Sequence, residues 1–575
     1  MKKIFLFLIF FLFSCTQLNK SDLRFKKEER TWNKGAIVTA ANPLAVNAAV
    51  DILNSGGSAV DAAIAAHAVL GLVEPQSSGI GGGGFMLTYD YSSKSIAFFD
   101  GREMSPAKAT VDMFMNGDTV MGFSEARESG KAVGVPGVVS LYWAVHAEAG
   151  KLPWSSLFEY AINLAEKGFI VSPRMASFVQ GMQYRGRLAI NEGSKSYFYP
   201  NGNPLKSGDL LKNPEYAETL RRIAIEGPSA FYSGTIAQSI IDAALADPNP
   251  GLLALSDFTS YRTIVRPVIC GPFRDKKICT TSPPSSGVAQ IMISGLYNYL
   301  KEENNNEERL AAYVDAQRLA YADRDHYFGD PDEINVPVNA LINPNYLKQR
   351  AKQRFNPGQK PFHGDPSIVI DTIANFPKWG TDKTEEAEGT THLSIIDQEG
   401  NAVSMTATIE SAFGSFRWAS GFLLNNEMTD FSREVPKDGS RVANAVAPSR
   451  RPRSSMSPTM VFDNKGDLLM ITGSPGGNSI PAYVSKTIIG VFDWGLDIQS
   501  ATNFPNVVAR GETVKVEMRS PEGIKLGEQL KERGYNVRGF GTYEVSGIHS
   551  ILVLPNGLDG AADKRREGIV RILKD

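Results

Sequence analysis

The stretch Glu388–Glu410 holds two β-branched and apolar runs, His392–Ile396 and Val403–Ile409, on either side of Asp397-Gln-Glu-Gly-Asn401, whose residues reverse a chain. This pattern predicts a β-hairpin centred near Glu399, with Thr390 opposite Thr408. Along the second arm Val403, Met405, Ala407 and Ile409 share one face, while Ser404, Thr406, Thr408 and Glu410 share the other. Further strands are predicted at Phe85–Tyr89 and Ile96–Asp100. Helical spacing starts at Asn42-Pro43, an N-cap followed by a first-turn proline, and ends at Gly56-Gly57. Ser58 caps a second helix that is apolar nearly all round as far as Leu72, so it belongs in the core with His67 packed inside it. Residues 135–350 carry helical segments at Leu157–Lys167, Tyr216–Gly227, Gly234–Asp247, Val288–Tyr299 and Glu308–Arg324, and read as scaffold. The mixture is that of an α/β (α+β) body.

Gly79-Ile-Gly-Gly-Gly-Gly84 invites a phosphate-loop reading, but no Gly-Lys-Ser/Thr follows and the run leads into a strand. Close backbone packing beneath the hairpin is the better expectation. Polar runs such as Thr381–Glu388 read as solvated loops, and this one, with prolines upstream, as an exposed and flexible segment. Cys270 and Cys279 flank a hairpin turning at Arg274-Asp275, which predicts a cross-strand disulfide.

The candidate chemistry centres on Thr390. A threonine is a weak nucleophile without an adjacent base, and no Ser-His-Asp spacing or Gly-x-Ser-x-Gly elbow supplies one. Cleavage between Gly389 and Thr390 would create one, because the new α-amine can take the hydroxyl proton and titrates near pH ~8. Downstream, Glu427 and Asp430 are acids suited to an ammonium and Ser454-Ser455 offer hydroxyls, each a weak signal alone; Arg102 sits where a loop can fork to a carboxylate, though a lone arginine reads equally as a surface salt bridge. Gly476-Gly477 can expose two amides to an oxyanion.

Several ordered motifs carry a resemblance. Thr390-Thr-His-Leu-Ser, Gly421-Phe-Leu-Leu-Asn-Asn-Glu-Met-Thr-Asp-Phe-Ser432, Arg451-Pro-Arg-Ser-Ser-Met-Ser-Pro458 and Gly473-Ser-Pro-Gly-Gly477 resemble the γ-glutamyltranspeptidases. So do Val73-Glu-Pro-Gln-Ser-Ser-Gly79, Asp100-Gly-Arg-Glu-Met-Ser-Pro106, Pro283-Pro-Ser-Ser-Gly287 and Tyr321-Ala-Asp-Arg324. The resemblance implies an N-terminal-nucleophile hydrolase fold, a four-layer αββα sandwich. It also implies a heterodimer of a large chain, 35–389, and a small chain of 186 residues (575 − 389) starting at Thr390. By the same resemblance Thr390 takes a γ-glutamyl group from glutathione or a related amide and passes it to water, an amino acid or a peptide. Thr408 would hydrogen-bond the nucleophile, Gly476 and Gly477 would form the oxyanion hole, and Arg102 with Ser454 and Ser455 would hold the α-carboxylate. Glu410, Glu427 and Asp430 would hold the α-amine, with no metal or organic cofactor. This sequence departs from the family at Glu410, where many relatives carry Asn, and at Arg453, usually Leu. The connection Thr429–Arg450 also lacks the tyrosine and some of the length of a lid.

Composition narrows the partners. A formal net charge of −2 over 575 residues, without a basic run, argues against nucleic acid. Met1–Ser14 reads as an export signal of lipoprotein type, with Cys15 as the lipidated mature N-terminus and 15–34 as a tether, so the expected place is the periplasm or cell envelope. Two other classes stay open: a glutaryl-type β-lactam acylase of the same fold, against which the acidic trio argues, and a non-catalytic peptide-binding lipoprotein.

Overall fold

In a computed structural model of the protein, Gly389–Ile396 and Ala402–Glu410 form an antiparallel pair with Thr390 opposite Thr408, the register expected from the alternation. The structure describes residues 32–574 apart from 184–185, 302–305, 371–378, 388, 437–439 and 543–544; the signal, Cys15 and most of the tether lie outside the described residues. Asp397 builds the turn, its carboxylate accepting the N–H groups of Glu399 and Asn401 at 2.9 Å each.

The hairpin lies at the centre of a seven-stranded antiparallel sheet, in the order Ile569–Leu573, Ala36–Ala40, Gly389–Ile396, Ala402–Glu410, Gly83–Asp90, Ser95–Gly101, Ile264–Arg266. Its apolar face, with Leu393, Ile395, Val403, Met405, Ala407 and Ile409, packs in one core with the helices Pro43–Asn54 and Ala59–Val73. Asn42 caps the first helix, and Ser58 forms a capping box with Asp61 on the second. Every residue of Ala59–Val73 but Gly71 is buried, as continuous apolarity requires, and burial holds the His67 imidazole neutral with its pKa down at about 3.

The other face of the hairpin is polar and also buried: Thr390, His392, Ser394, Ser404, Thr406 and Thr408. It meets a second antiparallel sheet of six strands, ordered Gly557–Ala562, His549–Leu554, Leu468–Thr472, Thr459–Phe462, Lys276–Thr281, Val268–Phe273. Ser394 Oγ donates to the His549 carbonyl at 3.0 Å, and Ser404 Oγ to that of Thr472 at 3.3 Å, so hydrogen bonds join the two sheets across this polar interlayer. The helices Gly287–Leu300, Asn306–Tyr327 and Ile480–Phe492 contribute to the core that backs the second sheet. The result is the αββα arrangement.

The glycine run does what close packing demands. A Cβ on Gly82 would sit 2.0 Å from the Thr408 carbonyl oxygen, and one on Gly84 2.8 Å from that of Thr406, so only glycine lets Gly83–Asp90 pair with the hairpin here. Cys270 and Cys279 are opposed in their hairpin and disulfide-bonded. Mass spectrometry of the unreduced protein is expected to find neither as a free thiol; two free thiols would contradict the bond. Among the described residues no helix is long and apolar enough to cross a membrane.

Candidate active site

Thr390 lies in mid-chain on the polar face of the hairpin, 3% exposed. Its hydroxyl donates to Thr408 Oγ at 3.2 Å, and Thr408 Oγ donates in turn to the Gly389 carbonyl oxygen at 2.8 Å. The acceptor of that second bond belongs to the peptide that precedes Thr390. Thr408 Oγ also accepts the Glu410 N–H at 2.7 Å, which fixes the hydroxyl's orientation. His392, two residues on, is no base for Thr390. It is bonded to Thr406 Oγ at 2.8 Å and Ser394 Oγ at 3.1 Å, and burial, with His549 nearby, holds its pKa far below the ordinary value.

The pairing register slips between Gly389 and Thr390, and Glu410 opposite takes a positive φ of 74°. A Cβ on Gly389 would come within 2.4 Å of the Glu410 carbonyl oxygen. Crowding therefore requires glycine at this position, and its φ lies outside the left-handed region. The Glu410 carboxylate accepts the Ala387 N–H at 2.7 Å and is also bonded by Ser411 Oγ and Asn426 Nδ2.

Arg102, Glu427 and Asp430 come together out of solvent. Glu427–Asp430 is a short 3-10 turn, pinned by Asn425, whose side chain accepts the N–H groups of Gly134 at 2.9 Å and Glu427 at 3.1 Å. The Arg102 guanidinium bonds Glu427 directly and Asp430 at 2.7 Å, so the cation expected to read a carboxylate is paired with the acids expected to read an ammonium. Glu103 stands 3.8 Å from the same guanidinium. Burial raises the Glu427 carboxyl well above its ordinary value; Arg102 opposes this, and Glu103 and Glu410 add to it. Burial raises Asp430 likewise, with Glu410 and Glu386 adding to the shift. One guanidinium faces three carboxylates in a dry pocket, and burial favours the protonated forms of Glu103 and Glu427 over the charged ones. Asp430 Oδ1 has no hydrogen-bond partner among the described residues.

The segment before the junction differs from its expected character. Thr381, Lys383 and Glu385 are exposed, but Asp382, Thr384 and Glu386 are buried, an alternation in which every inward residue is polar. Asp382 pairs with Arg453 at 2.9 Å and accepts from Asn444 Nδ2 at 2.9 Å, and Arg510 donates to the Thr384 carbonyl at 2.9 Å. The Glu386 carboxylate accepts the Ser455 N–H at 2.8 Å and bonds Arg324, which donates to Ser455 Oγ at 2.6 Å. Its backbone and that of Ala387 lie against Gly477: a Cβ there would meet the Glu386 and Ala387 carbonyl oxygens at 2.4 and 2.5 Å. The segment is thus an anchored strap and not a solvated loop. Ser454 lies alongside, its N–H donating to the Pro284 carbonyl at 2.8 Å and its Oγ accepting the Met456 N–H at 3.2 Å, and these two bonds set the backbone turn on which Ser455 is presented.

The profile of the family described as gamma-glutamyltranspeptidase matches residues 45–573. The chain belongs to the γ-glutamyltranspeptidase family. It is 37% identical over 549 residues to a glutathione hydrolase proenzyme of Escherichia coli (strain K12), covering 92% of this chain and 90% of the relative. A glutathione hydrolase proenzyme of Bacillus subtilis (strain 168) is 35% identical over 550 residues, covering 93% and 91%. Among solved structures, cephalosporin acylase from Bacillus halodurans superposes with a TM-score of 0.83 at 23% identity, covering 97% of this chain and 99% of that one. At that identity the likeness is one of fold, the N-terminal-nucleophile hydrolase sandwich.

Within this family fold, four groups that the sequence reading left without a role reach the site. Arg566 donates to the Thr390 carbonyl at 2.8 Å and lies 3.9 Å from Glu74, a residue of the Val73–Gly79 motif. Arg324 comes from the helix Asn306–Tyr327, within the region read as scaffold, and corrects that reading at one end of one helix. Glu103 and Glu386 complete the set. Arg324 and Glu103 lie in motifs quoted for the resemblance, so proximity to those motifs was the available signal; Glu386 and Arg566 had none.

Proposed function

We propose that the chain is a γ-glutamyltransferase with glutathione hydrolase activity that cuts itself between Gly389 and Thr390. The observation that carries this is the relay from Thr390 Oγ to Thr408 Oγ to the Gly389 carbonyl oxygen. Thr408 polarises the carbonyl that Thr390 attacks. Attack at the Gly389 carbonyl carbon breaks the C–N bond, leaves an ester on Thr390 Oγ and frees the Thr390 α-amine with the hydroxyl proton. Water then hydrolyses the ester to give a Gly389 carboxylate.

In turnover the α-amine takes the Thr390 hydroxyl proton, Oγ attacks the γ-carbonyl of the donor, and the donor's amine leaves. Water or an acceptor amine then takes the γ-glutamyl group from Oγ. The amides of Gly476 and Gly477 stabilise the oxyanion. A zwitterionic α-amino-acid end fits the Arg102 cluster by exchange: its ammonium goes to Glu427, Asp430 and Glu410, and its carboxylate to the released Arg102 with Ser454 and Ser455. Large and small chains stay entwined after cleavage, because Ala36–Ala40 of the large chain pairs on both sides with small-chain strands. The leader read at residues 1–15 supports export and attachment through Cys15 as part of the same proposal.

The test is a denaturing gel with N-terminal sequencing and a γ-glutamyl anilide assay. Two chains are expected, the smaller beginning Thr-Thr-His-Leu-Ser, with anilide turnover that rises when an amino-acid acceptor is added. A single uncut chain without turnover would overturn the proposal in favour of a binding protein.

A further inference from the structure

In the uncut chain one segment reaches part of each subsite that the proposed function assigns to the donor. Ser455 is one of the residues expected to hold the donor carboxylate, and its N–H is taken by the Glu386 carboxylate at 2.8 Å. Glu410, expected to meet the donor ammonium, is taken by the Ala387 N–H at 2.7 Å. Gly477, from the turn expected to meet the oxyanion, is crowded by the carbonyls of the same two residues. A carboxylate, an N–H and a carbonyl, the three polar groups of a γ-glutamyl donor's reacting half, are thus supplied by Glu386-Ala387.

The fit is a built one. The Glu386 side chain is 5% exposed, and Arg324 bonds both it and Ser455, so guanidinium, amide and hydroxyl converge on one carboxylate. Arg453, the family departure, stands 3.7 Å from Glu386 and holds Asp382 at 2.9 Å, which ties down the strap four residues earlier. Burial alone would raise the Glu386 pKa, but Arg324 and Arg453 outweigh it and hold it at about 2, so the group is ionised throughout the neutral range.

We propose that Glu386-Ala387 is an internal occupant of the donor site, with Glu386 in the carboxylate cradle of Arg324 and Ser455, and that cleavage before Thr390 is also the step that releases it. This rests on the functional reading above. Covalent continuity through Gly389 keeps the occupant at high effective concentration; once the peptide bond is cut, the segment is a chain terminus that a donor can displace. The cradle then accepts the donor's carboxylate in place of Glu386. An acidic residue points inward from a strap whose exposed positions carry Lys383 and Glu385 because its partner is the substrate pocket.

The experiment measures binding of L-glutamate by calorimetry to three full-length proteins: matured wild type, uncut Thr390→Ala, and uncut Thr390→Ala with Glu386→Ala. Matured wild type is expected to bind, uncut Thr390→Ala to bind at least a hundredfold more weakly, and the double variant to recover at least tenfold. Uncut Thr390→Ala binding as tightly as the matured protein would overturn the proposal without any second substitution. Failure of the double variant to recover affinity would overturn it as well. Should Glu386→Ala not fold, Glu386→Gln keeps the shape, removes the charge and carries the same expectation and the same refutation. If the matured protein neither binds glutamate nor turns over a γ-glutamyl anilide, the functional reading itself falls and takes the occupant with it. Turnover without a difference between cut and uncut chains sinks the occupant alone.

Discussion

The Thr390→Ala protein is expected to accumulate as one folded, uncut chain with turnover reduced on the order of 10⁴-fold or more, the scale seen when a covalent nucleophile is removed. The methyl side chain of alanine removes the donor to Thr408 Oγ but leaves the Thr408 bond to the Gly389 carbonyl in place. The scissile peptide therefore stays polarised and unattacked. Folding should survive, because Thr390 contributes one hydroxyl to a hairpin held by its ladder and by two packed faces. Thr390→Ser should keep part of both functions, since the hydroxyl remains while the methyl that fixes its rotamer is lost. A gel that shows normal processing of Thr390→Ala would rule out self-cleavage by this hydroxyl.

The hairpin register, its two faces and the opposition of Thr390 and Thr408 were legible because hydrophobic alternation and turn chemistry point to the same answer there. The glycine run was legible as close packing because a phosphate loop needs residues that this sequence lacks. The two helices Pro43–Asn54 and Ala59–Val73 were marked by their caps. What pattern could not show is the strap Asp382–Ala387. Its inward residues are Asp382, Thr384 and Glu386, and burial of a polar residue leaves no hydrophobic signal; it depends on partners such as Arg453, Arg324 and Arg510 that lie far off in sequence. The same holds for Arg566, 176 residues from the Thr390 carbonyl it bonds. Arg102, Glu427 and Asp430 were singled out from the sequence, but assigning the cation and the acids to opposite ends of a substrate hid the fact that they pair with one another in its absence.

That mutual pairing sets the second large effect, discrimination between γ-glutamyl and glutaryl donors. A γ-glutamyl group brings an ammonium that replaces the Arg102 guanidinium at Glu427 and Asp430, so each buried charge changes partner and none is stranded. A glutaryl group brings only a carboxylate. If it draws Arg102 away, Glu427 and Asp430 are left buried without a cation, and a lost hydrogen bond to a charged group costs about 1.5–3 kcal/mol. Two such contacts correspond to a preference of roughly a hundredfold or more in kcat/KM for the γ-glutamyl donor. The pH dependence has a definite sign. Burial lifts the Glu427 and Asp430 pKa values well above the ordinary carboxylate range, so protons compete with the substrate ammonium at a higher pH than they would at exposed acids. Donor affinity is therefore expected to be full above those raised values and to weaken as pH falls through them. Asp430→Asn removes a charge that titrates and should raise KM about tenfold or more while flattening this dependence. Glu410→Gln is a less direct probe, since Glu410 also holds the Ala387 N–H beside the cleavage junction, so a change in processing would accompany any change in binding. A glutaryl donor processed as fast as its γ-glutamyl counterpart, with KM independent of acid pH, would show that these acids read no ammonium and would favour an acylase.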